Sequence, residues 1–300
     1  MIRHQRHNEI DKAAWDARLL RCANKLWYAQ SWVLDLACPG WEALFDDDSG
    51  AMMPLTCRRK WGIDYLYQPL GLQQLGLFAP VLSGELCDRF LDAVPARFRY
   101  VDIALNEAMI AVDDDGTLSL AINQVLSATS DIATMRASYS TGHRRNLKEA
   151  GSGMVPAELD VAGFEALFRR TTGARFGASA VKGLSDFMAV VHEGMKRGQC
   201  SIAALSDEHE VAAAACFATW EGRSILLKSA NTEAGHRAKA MFRITDDWIE
   251  RHASTGTLLD FAGSNTPSVA RFNEGFGAVT RNYFRLRRNR LPLLARWLKN

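Results

Sequence analysis

The order of helix-like and strand-like segments repeats along the chain, and this repetition constrains the fold more than any other feature. Each copy has two helices, with apolar residues three and four positions apart, followed by short strands that polar turns separate. The first copy places its helices at residues 10–23 and 28–37, and the second at residues 162–171 and 182–196. The other elements that the pattern predicts are a helix with Ser83 as its N-cap, a hairpin turn at residues 113–116, a helix at residues 138–150, and strands at residues 200–206 and 211–220. We therefore expect two α/β halves, residues 1–130 and residues 131–300.

Only the second copy continues beyond its strands. A long helix is predicted at residues 234–252, a strand at residues 257–261, a short helix from Pro267, and a final strand at residues 279–286. This closing strand-helix-strand order is missing from the first copy. We therefore expect the second half to carry the principal site, in a cleft formed by residues 228–230, 235–238 and 265–273.

The charge balance argues against a general nucleic-acid binder. Lys and Arg number 36 and Asp and Glu number 34, which gives a net charge of +2 and no strong positive field. DNA is not expected as a partner. After Glu274, however, the chain has no acidic residue and several arginines. This segment is either a solvated strand edge with a basic tail or a phosphate-facing patch.

Cysteine usage and hydropathy exclude several other classes. The six cysteines contain no CxxC pair, so neither a zinc site, nor any other metal site, nor a disulfide framework is expected. A reducing, cytoplasmic setting fits this composition. The longest apolar run, near residues 211–220, is about half of the roughly 20 residues that span a bilayer, and the first residues lack the apolar core of a signal peptide. No membrane span is expected.

Two segments of the second half carry a family resemblance. "YSTGHRRNLKEAGSGMV", from Tyr139, resembles a helix of Fem-type peptidyltransferases and related FemAB-like GNAT proteins, and "LDFAGSNTPSVARFNEGFGA", from Leu259, resembles their closing motif. In the first half, "WYAQSWVLDLACPGWEAL" and "RRKWGIDYLYQPLGLQQLGLF" resemble the N-terminal half of a bacterial branch of that group. The resemblance covers most of the chain, and the order of the segments carries most of its weight.

The resemblance implies an α/β (α+β) fold of two tandem GNAT-like halves, with mixed, mainly antiparallel sheets flanked by helices. It also implies an N-acyltransferase that moves an acyl group from a thioester, acyl-CoA, to the amine of a small molecule or peptide. One alternative is a Fem-type peptidyltransferase that uses aminoacyl-tRNA, although the small net charge disfavours tRNA. The other alternative is a GNAT-like binding protein without catalysis.

The sequence departs from the family at the expected donor site. The stretch "ANTEAGHRAKAMF" keeps Gly235 but has Arg237 where coenzyme A-binding relatives have a second small residue. Phe272 stands where many GNAT enzymes have a tyrosine acid, and Asn273 stands where Fem transferases have a lysine. The predicted donor-binding residues are Gly235, His236, Arg237, Ala238, Asn265, Phe272 and Asn273.

Three residues are assigned to catalysis. Asp260 is a base for the acceptor ammonium, and Ser264 lies with it at the same strand end. Lys228 lies where GNAT strands separate and expose a backbone N–H to the acyl oxygen. Each also has a structural interpretation: Asp260 as a capping residue, Ser264 as a turn residue, and Lys228 as a solvated charge at the end of a strand.

The acceptor is assigned to two groups of residues. Arg144 and Arg145 would hold an anionic group, with at most one of these neighbours facing inward. Tyr67, Gln68 and Gln73 form a polar and aromatic cluster typical of clefts. An exposed basic helix face and a half-buried strand pair are the structural alternatives.

Overall fold

The computed structural model describes residues 1–110, 117–171, 179–263 and 265–291. Three predictions fall outside these residues: the role of Ser264, the turn at residues 113–116, and the basic tail beyond Leu291. Contacts divide the chain into two compact units, the first formed by Met1–Ala121 with the chain from Asn282 onward, and the second by Ile122–Arg281.

The first unit begins with helices and strands of modest length. Its elements are β1 (Ile2–Gln5), α1 (Lys12–Arg21), α2 (Ser31–Ala37), β2 (Glu42–Asp46), β3 (Ala51–Leu55), β4 (Cys57–Lys60), β5 (Ile63–Tyr67), α3 (Gly84–Asp92) and β6 (Phe98–Ala104). Short 3-10 helices cover His7–Glu9 and Trp27–Ala29.

The chain enters the second unit within one strand and leaves it within another. The elements from that point are β7 (Leu118–Ser127), α4 (Ile132–Ser138), α5 (Thr141–Leu147), β8 (Val155–Ala157), α6 (Val161–Thr171), α7 (Ser179–Lys196), β9 (Cys200–Ser206), β10 (Val211–Trp220), β11 (Arg223–Asn231), α8 (Glu233–Arg237), α9 (Ala240–His252), β12 (Leu258–Asp260), α10 (Pro267–Gly275) and β13 (Val279–Asn289). Because β7 and β13 contain the two crossings, the first unit is built from two separate stretches of chain.

The sheets of the first unit are mainly antiparallel. Strands β1, β2 and β3 form one sheet. In the other, β4 pairs with β5 and β13 with β6 in antiparallel fashion, whereas β5 and β6 are parallel. Helix α3 begins at the predicted N-cap, where the Ser83 hydroxyl accepts from the Leu86 N–H, and it buries Phe90 against Val101 and Leu286.

The second unit has the strand order β7-β12-β11-β10-β9-β8. Its pairs are antiparallel except for β11 and β12, which are parallel. Helix α9 packs on β9 and β10, and α6 packs on β11. Ile244 and Trp248 on α9 are buried in one apolar cluster with Ala213 and Ala215 of β10.

The predicted fold class is confirmed, and the predicted bounds of β9 and β10 coincide with the observed strands. The predicted helix at residues 234–252 is instead two helices, because Lys239 has a left-handed φ of 54° that an α-helix cannot continue through. The helix predicted at residues 138–150 is likewise interrupted before Thr141, where the Ser140 side chain caps α5.

The two compact units are defined by contacts, whereas the two predicted halves, residues 1–130 and 131–300, rest on a repeated order of elements in the sequence. The units therefore do not test the halves, which stay a prediction. Among the described residues, no helix is both long and apolar enough to cross a membrane.

Candidate active site

Two neighbouring strands of the second unit stop pairing partway along β11. Residues Arg223 to Ile225 of β11 pair with Leu258 to Asp260 of β12, and there β12 ends. The chain after β12 stays with β7, since the Phe261 N–H donates to the Gln124 carbonyl at 3.0 Å. Strand β11 nevertheless continues to Asn231. Backbone groups of its last residues that point away from β10 therefore have no β12 partner.

Asp260 anchors the end of β12. Its carboxylate is fully buried and accepts from Arg223 Nε at 2.9 Å, from Asn123 Nδ2 at 2.9 Å and from the Ala262 N–H at 2.8 Å. Asn123 in turn accepts from the Gly263 N–H at 3.2 Å. These contacts describe a structural clamp on the turn at Ala262 and Gly263, and a catalytic base at Asp260 stays a prediction.

Lys228 lies on the part of β11 that β12 does not cover. It is paired with Cys216 of β10, so its side chain shares the face opposite to Ala213 and Ala215, which join the core beneath α9. Among the described residues its ammonium has no hydrogen-bonding or acidic partner within reach. Burial lowers the pKa of Lys228 below its usual value, which raises the fraction of neutral amine near pH 7.

The start of α8 is closely packed against β10. Thr232 caps this helix by accepting from the Gly235 N–H at 3.1 Å, and its own N–H donates to the Ala212 carbonyl at 2.8 Å. A Cβ on Gly235 would lie 2.5 Å from that carbonyl oxygen and 2.1 Å from Asn231 Oδ1. Glycine is therefore required at position 235 for packing.

Asn231 and His236 form a polar pair beside Gly235. Asn231 Nδ2 lies 3.1 Å from His236 Nδ1, whereas the buried Asn231 Oδ1 has no hydrogen-bond donor among the described residues. A buried amide oxygen of this kind is completed by a water or by a ligand donor. Sequence reasoning missed Asn231, because an asparagine after a strand is ordinarily a turn residue.

The predicted phosphate-binding segment joins α8 to α9. Arg237 is exposed and lies 3.8 Å from Glu233. Lys239 provides no side-chain cap for α9 and is instead ion-paired with Glu149 at 2.6 Å. Ala238 accepts from the Gly151 N–H at 2.8 Å. The start of α9 therefore has no side-chain cap, and the Arg237 guanidinium is exposed.

The predicted donor residues near α10 have internal partners. Asn265 Oδ1 accepts from the Ile122 N–H at 2.9 Å. Asn273 is buried, and its Nδ2 donates to Gln124 Oε1 at 3.0 Å. Phe272 contacts Phe242 ring to ring, with centroids 4.9 Å apart. Their roles in donor binding therefore stay predictions, since each side chain already has a structural contact.

His143 is the centre of the aromatic cluster that joins α5, α9 and α10. Its Nε2 donates to the Phe272 carbonyl at 2.8 Å, so its Nδ1 accepts from the Ser140 hydroxyl at 3.0 Å. The ring lies 4.8 Å from that of Phe242 and 4.7 Å from that of Phe276. Burial lowers the pKa of His143.

Arg144 and Arg145 are both exposed, so neither faces inward. Arg144 Nη1 donates to the carbonyls of Ala137 and Tyr139 at 2.9 and 2.5 Å, at the end of α4. Arg145 makes no hydrogen bond or ion pair among the described residues. It is the arginine that is available to an anionic ligand.

A charged cluster between α4 and α9 was not predicted. Arg136 binds Asp246 through Nε at 3.1 Å and Glu250 through Nη2 at 2.9 Å, and the buried Tyr139 hydroxyl donates to Asp246 at 2.9 Å. Beside it lies a cleft of about 380 Å³ that Arg144 and Lys148 also line. Arg136 and Asp246 are 110 residues apart in the sequence, so no local pattern predicts their contact.

The predicted cluster at Tyr67, Gln68 and Gln73 belongs to the first unit. Tyr67 is half-buried beneath the Arg58 guanidinium, 4.4 Å from its ring. Gln68 accepts from the Ala104 N–H at 2.9 Å and donates to the Leu72 carbonyl, and Gln73 is half-buried. The part of the chain that the structure covers contains no cluster of three or more His, Cys, Asp or Glu residues placed to hold a metal ion.

The fold is shared with solved structures at low sequence identity. FemX gives a TM-score of 0.65 at 10% identity, over 92% of this chain and 96% of that one. A conserved protein of unknown function from Bacteroides thetaiotaomicron VPI-5482 gives 0.59 at 8% identity, over 96% and 100% of the two chains. A tandem GNAT protein from the clavulanic acid biosynthesis pathway, solved without AcCoA, gives 0.55 at 10% identity, over 97% and 99%.

No protein-family model matches the chain, and no characterised protein matches it by sequence. The structural likenesses therefore show the fold: this chain shares it with FemX and with a tandem GNAT protein, as the sequence resemblance predicted.

Proposed function

We propose that this protein is an N-acyltransferase that transfers an acyl group from a thioester, acyl-CoA, to the amine of a small molecule or peptide. The observation that carries the proposal is the extension of β11 beyond the end of β12, with Lys228 on that extension. The backbone of β11 beyond β12 supplies hydrogen-bond donors. On the same part of the strand, the partly buried Lys228, which has no acidic partner, supplies a titratable amine.

The chemistry requires a neutral acceptor amine and a polarised thioester. The amine nitrogen attacks the carbonyl carbon, and the carbonyl oxygen takes up the electron pair while a β11 N–H donates to it. The carbon–sulfur bond then breaks with the return of that pair, and the thiolate leaves. The acceptor nitrogen loses a proton, which protonates the thiolate, so the products are an amide and a free thiol.

Lys228 is the residue that we assign to the proton transfer. Because burial lowers its pKa, its neutral form can take the proton of the acceptor nitrogen, directly or through water, and return it to the leaving thiolate. Asp260 has three different donors on its carboxylate and would first have to release one of them. We therefore assign Asp260 to positioning of the turn.

The donor would be held by the segment from Asn231 to the start of α9. The exposed Arg237 offers its guanidinium to a phosphate. The uncapped N-terminus of the 13-residue α9 adds the positive end of its dipole.

Thermal unfolding in the presence of ligands tests this proposal. Acyl-CoA at a hundred times its dissociation constant should stabilise the protein by about 2.7 kcal/mol, and Arg237→Ala should reduce that shift. Arg197→Ala, which removes an exposed arginine just after the end of α7, is the matched control and should leave the shift unchanged. The proposal is wrong if no thioester raises the unfolding temperature.

Aminoacyl-tRNA is the second arm of the same experiment. Strong binding of charged tRNA that weakens steeply with salt, together with no response to thioesters, would assign the protein to the Fem-type peptidyltransferases instead.

A binding protein without catalysis is the second candidate function. The internal contacts of Asp260, Asn273 and Phe272 favour it, because three of the predicted site residues are engaged in the fold. Stabilisation by acyl-CoA without release of free thiol, across a panel of amines, would support this candidate over the transferase.

A further inference from the structure

The turn between β4 and β5 places a tryptophan at the tip of an edge hairpin. Lys60 of β4 is paired with Ile63 of β5, so Trp61 and Gly62 form a two-residue turn. Their φ angles are 51° and 77°, which identifies a type I′ turn, where asparagine followed by glycine is preferred. Trp61 therefore holds a left-handed conformation that is unfavourable for a bulky residue.

The Trp61 side chain is 75% exposed and makes no ring-to-ring contact with another described aromatic residue. The Lys60 ammonium lies 4.5 Å from the ring centroid. A strained indole that is mostly exposed points to a contact with another molecule.

The charges around the tip indicate the sign of that partner. Arg58, Arg59 and Lys60 follow one another along β4, and the last two are exposed. Asp64 is the acidic residue opposite them: it lies 3.8 Å from Arg59 and is also bound by Arg97 at 3.2 Å. Positive charge therefore exceeds negative charge at the hairpin, so the partner is anionic.

We propose that the β4–β5 hairpin docks on an anionic phospholipid bilayer, with Trp61 at the level of the headgroups and Arg59 and Lys60 against lipid phosphates. Indole rings favour the membrane interface, where an apolar body and a polar N–H are both satisfied. Lysine and arginine close to an anionic leaflet each strengthen binding. The contact is peripheral.

A single-stranded nucleic acid fits this surface less well. Such ligands are bound by rings on which successive bases stack, whereas the neighbouring Tyr67 ring is already covered by the Arg58 guanidinium at 4.4 Å. One projecting ring with flanking cations matches a planar anionic surface better.

Co-sedimentation of the full chain with lipid vesicles tests the proposal. Vesicles of phosphatidylcholine with about one quarter phosphatidylglycerol should bind the protein at low salt. Pure phosphatidylcholine should not, and about 1 M salt, where the Debye length is about 3 Å, should abolish binding. Trp61→Asn should weaken partitioning about tenfold while leaving the protein folded, because asparagine suits the turn.

Two matched double variants separate the hairpin from general charge. Arg59→Ala with Lys60→Ala should weaken partitioning by about twenty-fivefold, from about fivefold for each cation. Lys196→Ala with Arg197→Ala removes two exposed neighbouring cations from the end of α7 and should have less than about a twofold effect.

The proposal is overturned if the wild-type chain ignores anionic vesicles, if Trp61→Asn binds as tightly as wild type, or if both double variants lose binding equally. Binding of a labelled single-stranded RNA that depends on Trp61, in the absence of vesicle binding, would assign the hairpin to nucleic acid instead.

Discussion

His143 links the pH of the solution to the stability of the second unit. Its pKa is lowered from 6.5 by burial, so between that lowered value and 6.5 the unfolded chain binds more protons than the folded one. The free energy of unfolding therefore falls as pH falls through that window and levels off below the folded-state pKa.

Urea denaturation at pH 7.5 and 5.5 measures this link. We expect His143→Gln to lose less stability on acidification than wild type. The exposed His209 provides the control, since His209→Gln should keep the wild-type pH dependence. Equal pH dependence in all three proteins would contradict the assignment.

Lys228 should matter for catalysis and not for folding. Lys228→Met keeps the length of the side chain and removes a partly buried cation without a partner, so unfolding should cost the same free energy or more. Activity should fall by about 10² or more, the range for loss of an acid–base group. The wild-type kcat/KM should rise with pH through the lowered pKa of Lys228, and this rise should disappear in the variant.

The exposed Lys148, which follows the last residue of α5, supplies the control for Lys228. Lys148→Met should retain both activity and the wild-type pH profile. A Lys228→Met protein as active as wild type would remove the lysine from the mechanism and leave the backbone of β11 as its remaining contribution.

The sequence alone does not show which polar side chains are hydrogen-bonded within the fold. Asp260 is conspicuous in the sequence because it follows an apolar strand, but its partners Asn123 and Arg223 are distant along the chain. Only the fold brings them together. Arg223 offered a weak signal, as a charge next to an apolar strand, and Asn231 offered none.

At the scale of elements, the contact between α5 and α10 depends on a glycine. A Cβ at position 275 would lie 1.9 Å from His143 Cε1, and the His143 ring is held by hydrogen bonds on both nitrogens. Gly275→Ala should therefore destabilise the protein by about 1–3 kcal/mol or more.

Gly142 on α5 is the matched position for that substitution. The nearest atom to its added Cβ is Ser140 Oγ at 3.9 Å, so Gly142→Ala should be neutral or should stabilise the helix by up to about 1 kcal/mol. Thermal unfolding of both variants checks the pair, and similar unfolding temperatures would refute the packing argument.

The two arginines of α5 should have separable effects. Arg144→Ala should cost about 1 kcal/mol of stability, because its bonds to the end of α4 are lost, and should leave acceptor affinity unchanged. Arg145→Ala should leave stability unchanged and weaken binding of an anionic acceptor by about 1.5–3 kcal/mol. Negligible effects of both on binding would make this a solvated helix face.

Helices and strands were predictable from the sequence where the run of apolar residues was long, as in β10 with its buried alanines. The interruption before α9 was not predictable, because Lys239 is a residue with good helix propensity, and propensity does not indicate the left-handed φ that it adopts. Strand β8 was missed, since three residues containing a proline carry too weak a period-two signal.

At the scale of the whole molecule, the first unit should depend on the last described strand. Leu286 of β13 is buried in its core, and residues Arg285 to Asn289 pair with β6. A chain that ends at residue 281 should therefore lose protection of β6 in hydrogen exchange, whereas α9 and β10, inside Ile122–Arg281, should stay protected. Full protection of β6 in that chain would contradict this expectation.

The crossings within β7 and β13 also set an order of events during synthesis on the ribosome. Residues up to Ala121 emerge first, yet the part of β13 that pairs with β6, Arg285 to Asn289, emerges only after the whole of Ile122–Arg281 has been made. The early segment must then wait with part of its apolar surface and one sheet edge open, while the later segment can fold ahead of it. Nascent chains of this protein should accordingly be chaperone clients at their N-terminal end, reversing the usual sequence in which the first part of a chain to be translated is the first to become native.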